Sequence, residues 1–356
     1  MNTDRHRPAL AVAVAAALFC AGAPPASAQV TGDTAALPAW HVPDISTVAD
    51  DAEGRAIRYG RLLFDHTSAL IGPDATDPDK RYASNGLDCQ NCHLDAGTQR
   101  FGLPLIGVWE RFPAFSARLG AVQTMAERIN DCMQRSLNGR ALPSDSSEMQ
   151  AFEAYIRFLG SSQSKQEPIV GRGAPRLPLL NRAADPMHGE RVYQMNCAPC
   201  HQADGAGVRY SPEDARVKQQ RYLFPPLWGA DSYNDAAGMA RNITAAWFVR
   251  ANMPRGITFA YPQLEVGDAY DVVAYINEQP RPHKSGLEHD YPDVWLKPAD
   301  AAYPPLLGPF PAEQHELGPW PPIEAWLRHN MPQERVNLRA AGDVQAIADT
   351  MKGADR

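Results

Sequence analysis

Apolar residues recur at helical spacing in several segments of the chain. SEMQAFEAYIRFLG (147–160) and VGDAYDVVAYINEQ (266–279) each place apolar residues three and four positions apart, and both contain Ala-Tyr-Ile. This spacing puts the apolar side chains on one face of an α-helix that packs against a core. In RINDCMQRSLNGRAL (128–142), three apolar residues lie four positions apart: Ile129, Met133 and Leu137. The pattern predicts a mainly α-helical fold.

A series of short motifs occurs twice, which indicates two domains of the same kind. Each series opens with a helical segment of pattern Gly-x-x-x-aromatic, at residues 60–64 and 189–193. A Pro-Leu-x-Gly turn follows, at residues 104–107 and 226–229. The helix with Ala-Tyr-Ile closes each series.

Composition marks the boundaries of these domains. We predict an N-terminal domain over residues 29–162 and a C-terminal domain over 185–282. The intervening residues 163–184 are rich in Pro and Gly and lack helical periodicity, which is typical of a linker. The C-terminal segment, 283–356, begins with dense prolines and aromatic residues. We call residues 283–323 the strap, and we expect it to be extended and to precede a polar, weakly helical tail.

The first 28 residues have the pattern of a secretory signal peptide. Arg5 and Arg7 precede an apolar run that is too short to span a bilayer, and small residues at 26–28 suit cleavage. We therefore expect a periplasmic protein without a membrane anchor. The chain has 34 Lys and Arg against 41 Asp and Glu, a net charge of −7. This acidic balance, without runs of basic residues, does not favour nucleic acid as a partner.

Five cysteines follow the leader, and four of them lie in the pentapeptides CQNCH (89–93) and CAPCH (197–201). Each C-x-x-C-H motif has two thiols spaced for thioethers to one haem, followed by a histidine that reaches the iron. We predict two covalently bound haem c groups, with these attachment and ligand residues: Cys89, Cys92, His93, Cys197, Cys200 and His201. Together with the repeat, the motifs predict two class I cytochrome c domains in tandem.

The turn after each C-x-x-C-H motif contains a candidate partner for the haem histidine. Pro104 and Pro226 could each offer a carbonyl oxygen to the second ring nitrogen of the histidine and so orient the ring. Ordinary loop prolines would explain the same residues equally well.

The second axial ligand of such a domain comes from the segment before its last helix. In the second domain we expect Met253, in the turn Asn-Met-Pro, with Met239 as the alternative. The spacing of Met253 from the flanking motifs, applied to the first domain, falls on residues 131–133. Cys132 and Met133 therefore both qualify by spacing.

Helical geometry separates these two candidates. Neighbouring helical residues point about 100° apart, so only one of them can face the iron. Met133 belongs to the apolar stripe, whereas Cys132 shares its face with Arg128 and Ser136. This arrangement favours Cys132 as the ligand of the first haem. Asn138 and the glycine after it are typical of a helix end.

A haem-ligating cysteine beside arginines favours sulfur chemistry. Thiolate ligation lowers the haem potential, and a thiolate is a nucleophile that nearby positive charge favours. Arg118, Arg128 and Arg135 lie close to Cys132 in sequence, and guanidinium groups bind oxyanions. The combination suits a small, doubly charged sulfur oxyanion that reacts at sulfur beside an electron acceptor.

RINDCMQRSLNGRAL resembles the axial-cysteine segment of the dihaem thiosulfate dehydrogenases, the tetrathionate-forming c-type cytochromes. The segment 290–323 resembles their C-terminal part. The resemblance implies that two thiosulfate ions are joined into tetrathionate, or tetrathionate is reduced, with two electrons exchanged through both haems with a small periplasmic acceptor such as a soluble c-type cytochrome. It implies that Cys132 transiently carries a thiosulfate-derived group, that Arg118 and Arg128 bind substrate, and that Ser136 is a further active-site residue.

One position departs from part of this family. Some members have a lysine immediately before the methionine ligand of the second haem, where this chain has Asn252. Asparagine cannot exchange as a ligand there, and Arg250 stays protonated. We therefore expect a stable His201/Met253 pair.

Two other functions fit parts of the sequence. A non-catalytic dihaem electron carrier would use Met133 as the first haem's ligand and have two high-potential haems. A cysteine-ligated haem subunit of a sulfur-oxidising complex would need a partner subunit for activity.

Overall fold

The computed structural model describes most of the chain from residue 39 onward, which belongs to one compact unit. The described residues are 37, 39–161, 169–211 and 221–336. The predicted signal peptide, part of the predicted linker and the end of the C-terminal segment lie outside them.

The described residues of the first domain form five α-helices and a short hairpin, with short 3-10 turns between them. Its elements are α1 (Ala52–Asp65), α2 (Thr67–Ile71), α3 (Leu94–Gly97), β1 (Ala114–Ser116), β2 (Ala121–Gln123), α4 (Met125–Arg135) and α5 (Ser147–Gly160). β1 and β2 pair antiparallel, with Phe115 opposite Val122. Asp51 is the N-cap of α1, since its carboxylate accepts a hydrogen bond from the amide of Gly54.

The second domain repeats this plan: outside residues 212–220, which are not described, it has four α-helices and two paired antiparallel strands. Its elements are α6 (Pro186–Asn196), α7 (Ala198–His201), β3 (Val208–Arg209), β4 (Tyr222–Phe224), α8 (Asn242–Asn252) and α9 (Val266–Glu278). Asp185 caps α6 through the amides of Met187 and His188. The core of each domain lies between its first and last long helices.

Glycine allows these helices to cross closely in both domains. A Cβ atom on Gly60 would lie 2.0 Å from the carbonyl oxygen of Ala151, and one on Gly189 would lie 1.9 Å from that of Asp271. The aromatic residues four positions on pack against the partner helix, Phe64 at 5.4 Å from Tyr155 and Tyr193 at 5.4 Å from Tyr275, between ring centroids.

We expect Gly60→Ala to destabilise the first domain, because the added methyl group collides with the backbone of α5 and the helices must separate. Overpacking of this kind costs about 1–3 kcal/mol of unfolding free energy, measurable by urea unfolding of the holoprotein. Gly238→Ala is the matched control, since a Cβ atom added there would meet nothing within 4 Å. Equal stability of the two variants would contradict the close crossing.

The domains contact each other through several buried polar groups. The amide of Gly86 donates to Asp231 at 2.8 Å, and Asn234 Nδ2 donates to the carbonyl oxygen of Gln134 at 2.9 Å. A second contact joins Gln99 of the first domain to Asn252 of the second, at 2.8 Å. These hydrogen bonds join the first domain to the second.

The strap contains short turns of helix as well as extended chain. After it leaves α9, the C-terminal segment forms α10 (Ala312–Leu317) and α11 (Pro321–Asn330). Two prolines open α11, where the missing amide hydrogens have no helical partner in any case. Lys297 stabilises a turn within the strap: it is buried, and its Nζ donates to the carbonyl oxygens of Tyr303 and Pro305.

Candidate functional site

Each histidine of the C-x-x-C-H motifs has one ring nitrogen committed to a backbone carbonyl. His93 Nδ1 lies 2.6 Å from the oxygen of Leu103, and His201 Nδ1 lies 2.8 Å from that of Pro225. A carbonyl only accepts, so Nδ1 carries the proton and Nε2 keeps its lone pair for a metal. This arrangement suits a haem iron on the Nε2 side of each ring.

The prediction that Pro104 and Pro226 supply these carbonyls was wrong by one residue. In both turns the acceptor is the residue before the predicted proline. Leu103 adopts a positive φ of 54°, which turns the chain at this point. The carbonyl of Pro226 is instead bonded to the Ser232 hydroxyl at 3.2 Å.

The four cysteines of the motifs are half-buried. None of the five cysteines in the described parts of the chain forms a disulfide. Burial, followed by the charge on Cys132, raises the pKa of Cys92 to about 12. Thr67 holds Cys89, whose amide donates to the threonine hydroxyl at 3.0 Å. Two free thiols and a histidine with an available Nε2 are the donor set that covalent haem requires.

α4 gives Cys132 and Met133 different environments. The helix begins at a capping box, in which Thr124 and Glu127 satisfy each other's amides. Met133 is 1% exposed and lies in the core of the first domain with Leu137. Cys132 is half-buried, and Arg128 NH1 lies 3.4 Å from its Sγ. The sulfur of Cys132 is therefore on the face of α4 that carries Arg128.

Three arginines and two carboxylates form a connected set of ion pairs that reaches Cys132 through Arg128, and we call this set the arginine cluster: Arg118, Arg128, Arg135, Asp131 and Asp290. Asp131 Oδ2 accepts from NH1 of both Arg118 and Arg128, each at 3.2 Å. Asp131 Oδ1 accepts from Arg135 Nε at 2.6 Å. The side chain of Arg128 is 44% exposed and that of Arg118 15%. The cluster thus presents guanidinium groups, beside a sulfur atom, to an anion from solvent.

Asp131 organises these arginines. Burial opposes its ionisation, but the positive charges of Arg118, Arg128 and Arg135 outweigh burial and lower its pKa below the ordinary value of 3.8. The folded protein therefore holds this carboxylate ionised at lower pH than the unfolded chain does. Its stabilisation is complete above pH 3.8 and is lost as the pH falls through the lowered pKa.

We expect Asp131→Asn to lower the unfolding free energy by about 1.5–3 kcal/mol at pH 7, because the hydrogen bonds to charged arginines weaken. The difference from wild type should persist from pH 7 to pH 5 and shrink below about pH 4. Urea unfolding across this range measures it. Asp50→Asn, which removes an exposed ion pair with Arg58, should change stability little. A difference that grows on acidification would contradict the assigned charge state.

The other predicted residues lie at the ends of helices or in the cores. Ser136 caps α4 one turn beyond Cys132, and its carbonyl oxygen accepts from Asn85 at 2.9 Å. In the second domain, Met253 caps α8 in an extended conformation, next to the buried Asn252. Met239 packs against the hydrophobic cores, which leaves Met253 as the better candidate ligand.

Sequence reasoning missed two carboxylates of the cluster. Asp131 lies three residues after Arg128 and four before Arg135, which is ion-pair spacing on a helix and a usable signal. Asp290 reaches Arg135 from a distant part of the chain, and no local pattern indicates that contact.

Two protein-family models match the chain. Residues 79–169 match the model described as SoxA/TsdA, cytochrome c domain, and residues 187–280 match the model described as Cytochrome c. The chain therefore has two tandem cytochrome c domains and carries two covalently bound haem c groups, as the sequence predicts.

Several characterised proteins are similar over most of the chain. The thiosulfate dehydrogenase of Allochromatium vinosum is 40% identical over 245 residues, which is 68% of this chain and 84% of the relative. That of Thiomonas intermedia is 33% identical over 275 residues, 77% of this chain and 82% of the relative.

A solved structure has the same fold. The thiosulfate dehydrogenase (TsdBA) from Marichromatium purpuratum, in its as-isolated form, matches with a TM-score of 0.60 and 33% identity. The match covers 69% of this chain, which spans half of the length of that protein.

Proposed function

Because this chain belongs to the thiosulfate dehydrogenase family, we propose that it joins two thiosulfate ions into tetrathionate at Cys132 and delivers two electrons through both haem groups to a small acceptor. The protein is a dihaem cytochrome c that oxidises thiosulfate. To this activity the proposal adds four points: the product, the reacting sulfur, the electron route and the acceptor.

The observation that carries the proposal is the position of Arg128. Its NH1 contacts Cys132 Sγ at 3.4 Å and Asp131 Oδ2 at 3.2 Å, and the same carboxylate oxygen binds Arg118. The negative charge of a Cys132 thiolate is the main cause that raises the pKa of Arg128. A sulfur nucleophile is thus paired with the cation that would also attract a dianion.

The proposed reaction balances with one thiol. Cys132 Sγ forms a sulfur–sulfur bond to the terminal sulfur of a first thiosulfate, and two electrons leave the pair. A second thiosulfate attacks that terminal sulfur, forms the central bond of tetrathionate and releases the Cys132 thiolate. The sum is two thiosulfate ions to one tetrathionate and two electrons. Each bound haem supplies a one-electron acceptor, so two haems match one turnover.

We assign the ligands of the haem groups as follows. The first would be attached at Cys89 and Cys92, with its iron held by His93 and Cys132. The second would be attached at Cys197 and Cys200, with its iron held by His201 and Met253. Support comes from the Nδ1 bonds of both histidines and from the packing of Met133 in the core, which favours Cys132 over Met133 as the ligand of the first haem.

The environment of Met253 supports a second haem with a constant ligand pair. Asn252 is buried, and its Nδ2 donates to the carbonyl oxygens of Phe101 at 3.2 Å and Phe248 at 2.9 Å. An amide committed to these partners holds the start of the loop that carries Met253. The reduction of tetrathionate by the reverse route uses the same residues.

We place the reaction in the periplasm, with a soluble c-type cytochrome as the acceptor. The support is the signal-peptide pattern of residues 1–28. None of the helices in the described parts of the chain is long and apolar enough to cross a membrane.

The test is thiosulfate-dependent reduction of ferricyanide by the purified holoprotein, with tetrathionate quantified. We expect one tetrathionate for each two ferricyanide ions reduced. A protein with both haems that reduces nothing would be an electron carrier or a subunit that lacks its partner. If a sulfur-carrier protein restored activity, the protein would be a subunit that lacks its partner. This alternative is tested because the matching domain model covers both SoxA and TsdA.

A further inference from the structure

The strap enters the arginine cluster through two consecutive residues, Asp290 and Tyr291. Asp290 accepts two hydrogen bonds from Arg135, one from NH1 at 2.8 Å and one from NH2 at 2.7 Å. The Tyr303 hydroxyl donates to Asp290 Oδ2 at 3.0 Å. Both partners of this two-bond ion pair are buried. The strap is therefore firmly attached to α4, the helix that carries Cys132.

Tyr291 contacts Arg118 with its backbone and with its ring. Its amide donates to the Arg118 carbonyl oxygen at 2.8 Å, and its ring centroid lies 5.8 Å from Arg118 Cζ. Tyr291 is 4% exposed. A buried aromatic face attracts a guanidinium group and occupies the space on one side of it. This contact restricts the orientations that Arg118 can adopt.

The backbone of Tyr291 is held in an unfavourable conformation. Its φ is +57°, a region that bulky residues rarely adopt. Such conformations persist only where neighbouring contacts fix them, and they concentrate at ligand sites. Two contacts fix this one: Asp290 with Arg135 on one side, and Pro292 against Gly120 on the other, where a Cβ would lie 2.5 Å from Pro292 Cγ.

Arg118 depends on such support because its own element is small. It lies in the turn that joins β1 to β2, and each of these strands has three residues. An isolated two-stranded hairpin is marginally stable in water. The hairpin alone therefore does not determine where the Arg118 guanidinium lies, whereas the strap contacts the turn directly.

We propose that Tyr291 is a positioning residue for anion binding, which holds Arg118 where it shares Asp131 Oδ2 with Arg128. The strap, which lies outside both cytochrome c domains, then forms part of the active site. The identity of the anion, a small sulfur oxyanion with two negative charges, rests on the proposed function.

Steady-state kinetics of two variants of the holoprotein test the proposal. Glycine adopts a positive φ without strain, so Tyr291→Gly removes the ring without a change of backbone conformation. The cavity left by a buried aromatic side chain should lower the unfolding free energy, so the kinetics are measured at a temperature where the variant is folded. We expect its KM for thiosulfate to rise about fivefold to tenfold, with kcat within about twofold of wild type. Tyr291→Phe keeps the ring and should restore a KM within about twofold of wild type.

A matched control removes a similar contact elsewhere. Tyr82 has the Arg140 guanidinium 4.0 Å from its ring centroid, outside the arginine cluster, and Tyr82→Ala should leave KM unchanged. An unchanged KM in Tyr291→Gly would overturn the proposal, whatever its stability. A Tyr291→Phe protein as impaired as Tyr291→Gly would also overturn it, because the ring would not be the positioning group.

Binding of sulfate, an unreactive dianion, separates this inference from the proposed function. Calorimetry on the same holoproteins at constant ionic strength should show weaker binding in Tyr291→Gly than in wild type and Tyr291→Phe. If wild type does not turn over thiosulfate but shows this order of affinities, the proposed function fails and the role of Tyr291 stands. Equal affinities in all three proteins, or no binding to any of them, would refute the role of Tyr291.

Discussion

Cys132→Gly is expected to abolish thiosulfate turnover in a protein that keeps both haem groups. Its sulfur is the proposed nucleophile, and no neighbour in the described site offers a second thiol, since the other four cysteines lie in the C-x-x-C-H motifs. Loss of a covalent nucleophile costs at least about a thousandfold in kcat. Ferricyanide reduction with tetrathionate quantified measures this loss, and the visible spectrum confirms haem content.

Met133→Leu is the control for Cys132→Gly, because it changes the adjacent residue without changing the site. Met133 is buried in the core, and a swap of similar volume costs less than about 1.5 kcal/mol of stability. We expect it to retain turnover and the absorption spectrum of the first haem. An active Cys132→Gly protein would remove Cys132 from the chemistry. A Met133→Leu protein with an altered first-haem spectrum would instead favour the electron-carrier hypothesis.

Features encoded within a few residues could be predicted from the sequence. The C-x-x-C-H motifs and the repeat predict the two domains because each motif is a local unit with its own geometry. The repeated Gly-x-x-x-aromatic pattern predicts a helix at the start of each domain, and the structure adds that Gly60 and Gly189 lie at a close helix crossing. The different environments of Cys132 and Met133 follow from the phase of one helix, which sequence periodicity specifies.

Features that depend on tertiary contacts could not be predicted in this way. The pairing of Asp290 with Arg135 joins residues 155 positions apart, and nothing near either residue indicates the other. The histidine carbonyl acceptors were misplaced by one residue because motif spacing identifies a turn but does not specify which carbonyl points inward. The two acceptors share no backbone signature that a sequence could reveal, since Leu103 has a positive φ and Pro225 does not.

The two domains contact each other close to Met253, the proposed ligand of the second haem. Asn252, beside the proposed ligand Met253, bonds to Gln99 and Phe101 in the loop that follows His93. The rings of Phe101 and Phe259 lie 4.0 Å apart across the same contact. The loop that follows His93 therefore packs against the segment that carries Met253.

Arg118→Gln and Arg128→Gln are each expected to lower kcat/KM for thiosulfate by about 10-fold to 100-fold, because a hydrogen bond between a charged donor and an anion contributes about 1.5–3 kcal/mol. The two substitutions should affect kcat and KM differently. Arg128 contacts Cys132 Sγ, so its removal should lower kcat, whereas Arg118 joins the cluster through Asp131 and should act mainly on KM.

The double variant shows whether the two arginines act as one binding unit. Both donate to Asp131 Oδ2, so the loss in the double variant should differ from the sum of the single losses by about 0.5–3 kcal/mol. Arg58→Gln, which breaks a surface ion pair with Asp50, is the control and should leave kcat/KM unchanged. Strictly additive losses would mean that Arg118 and Arg128 meet the substrate independently and that Asp131 does not couple them.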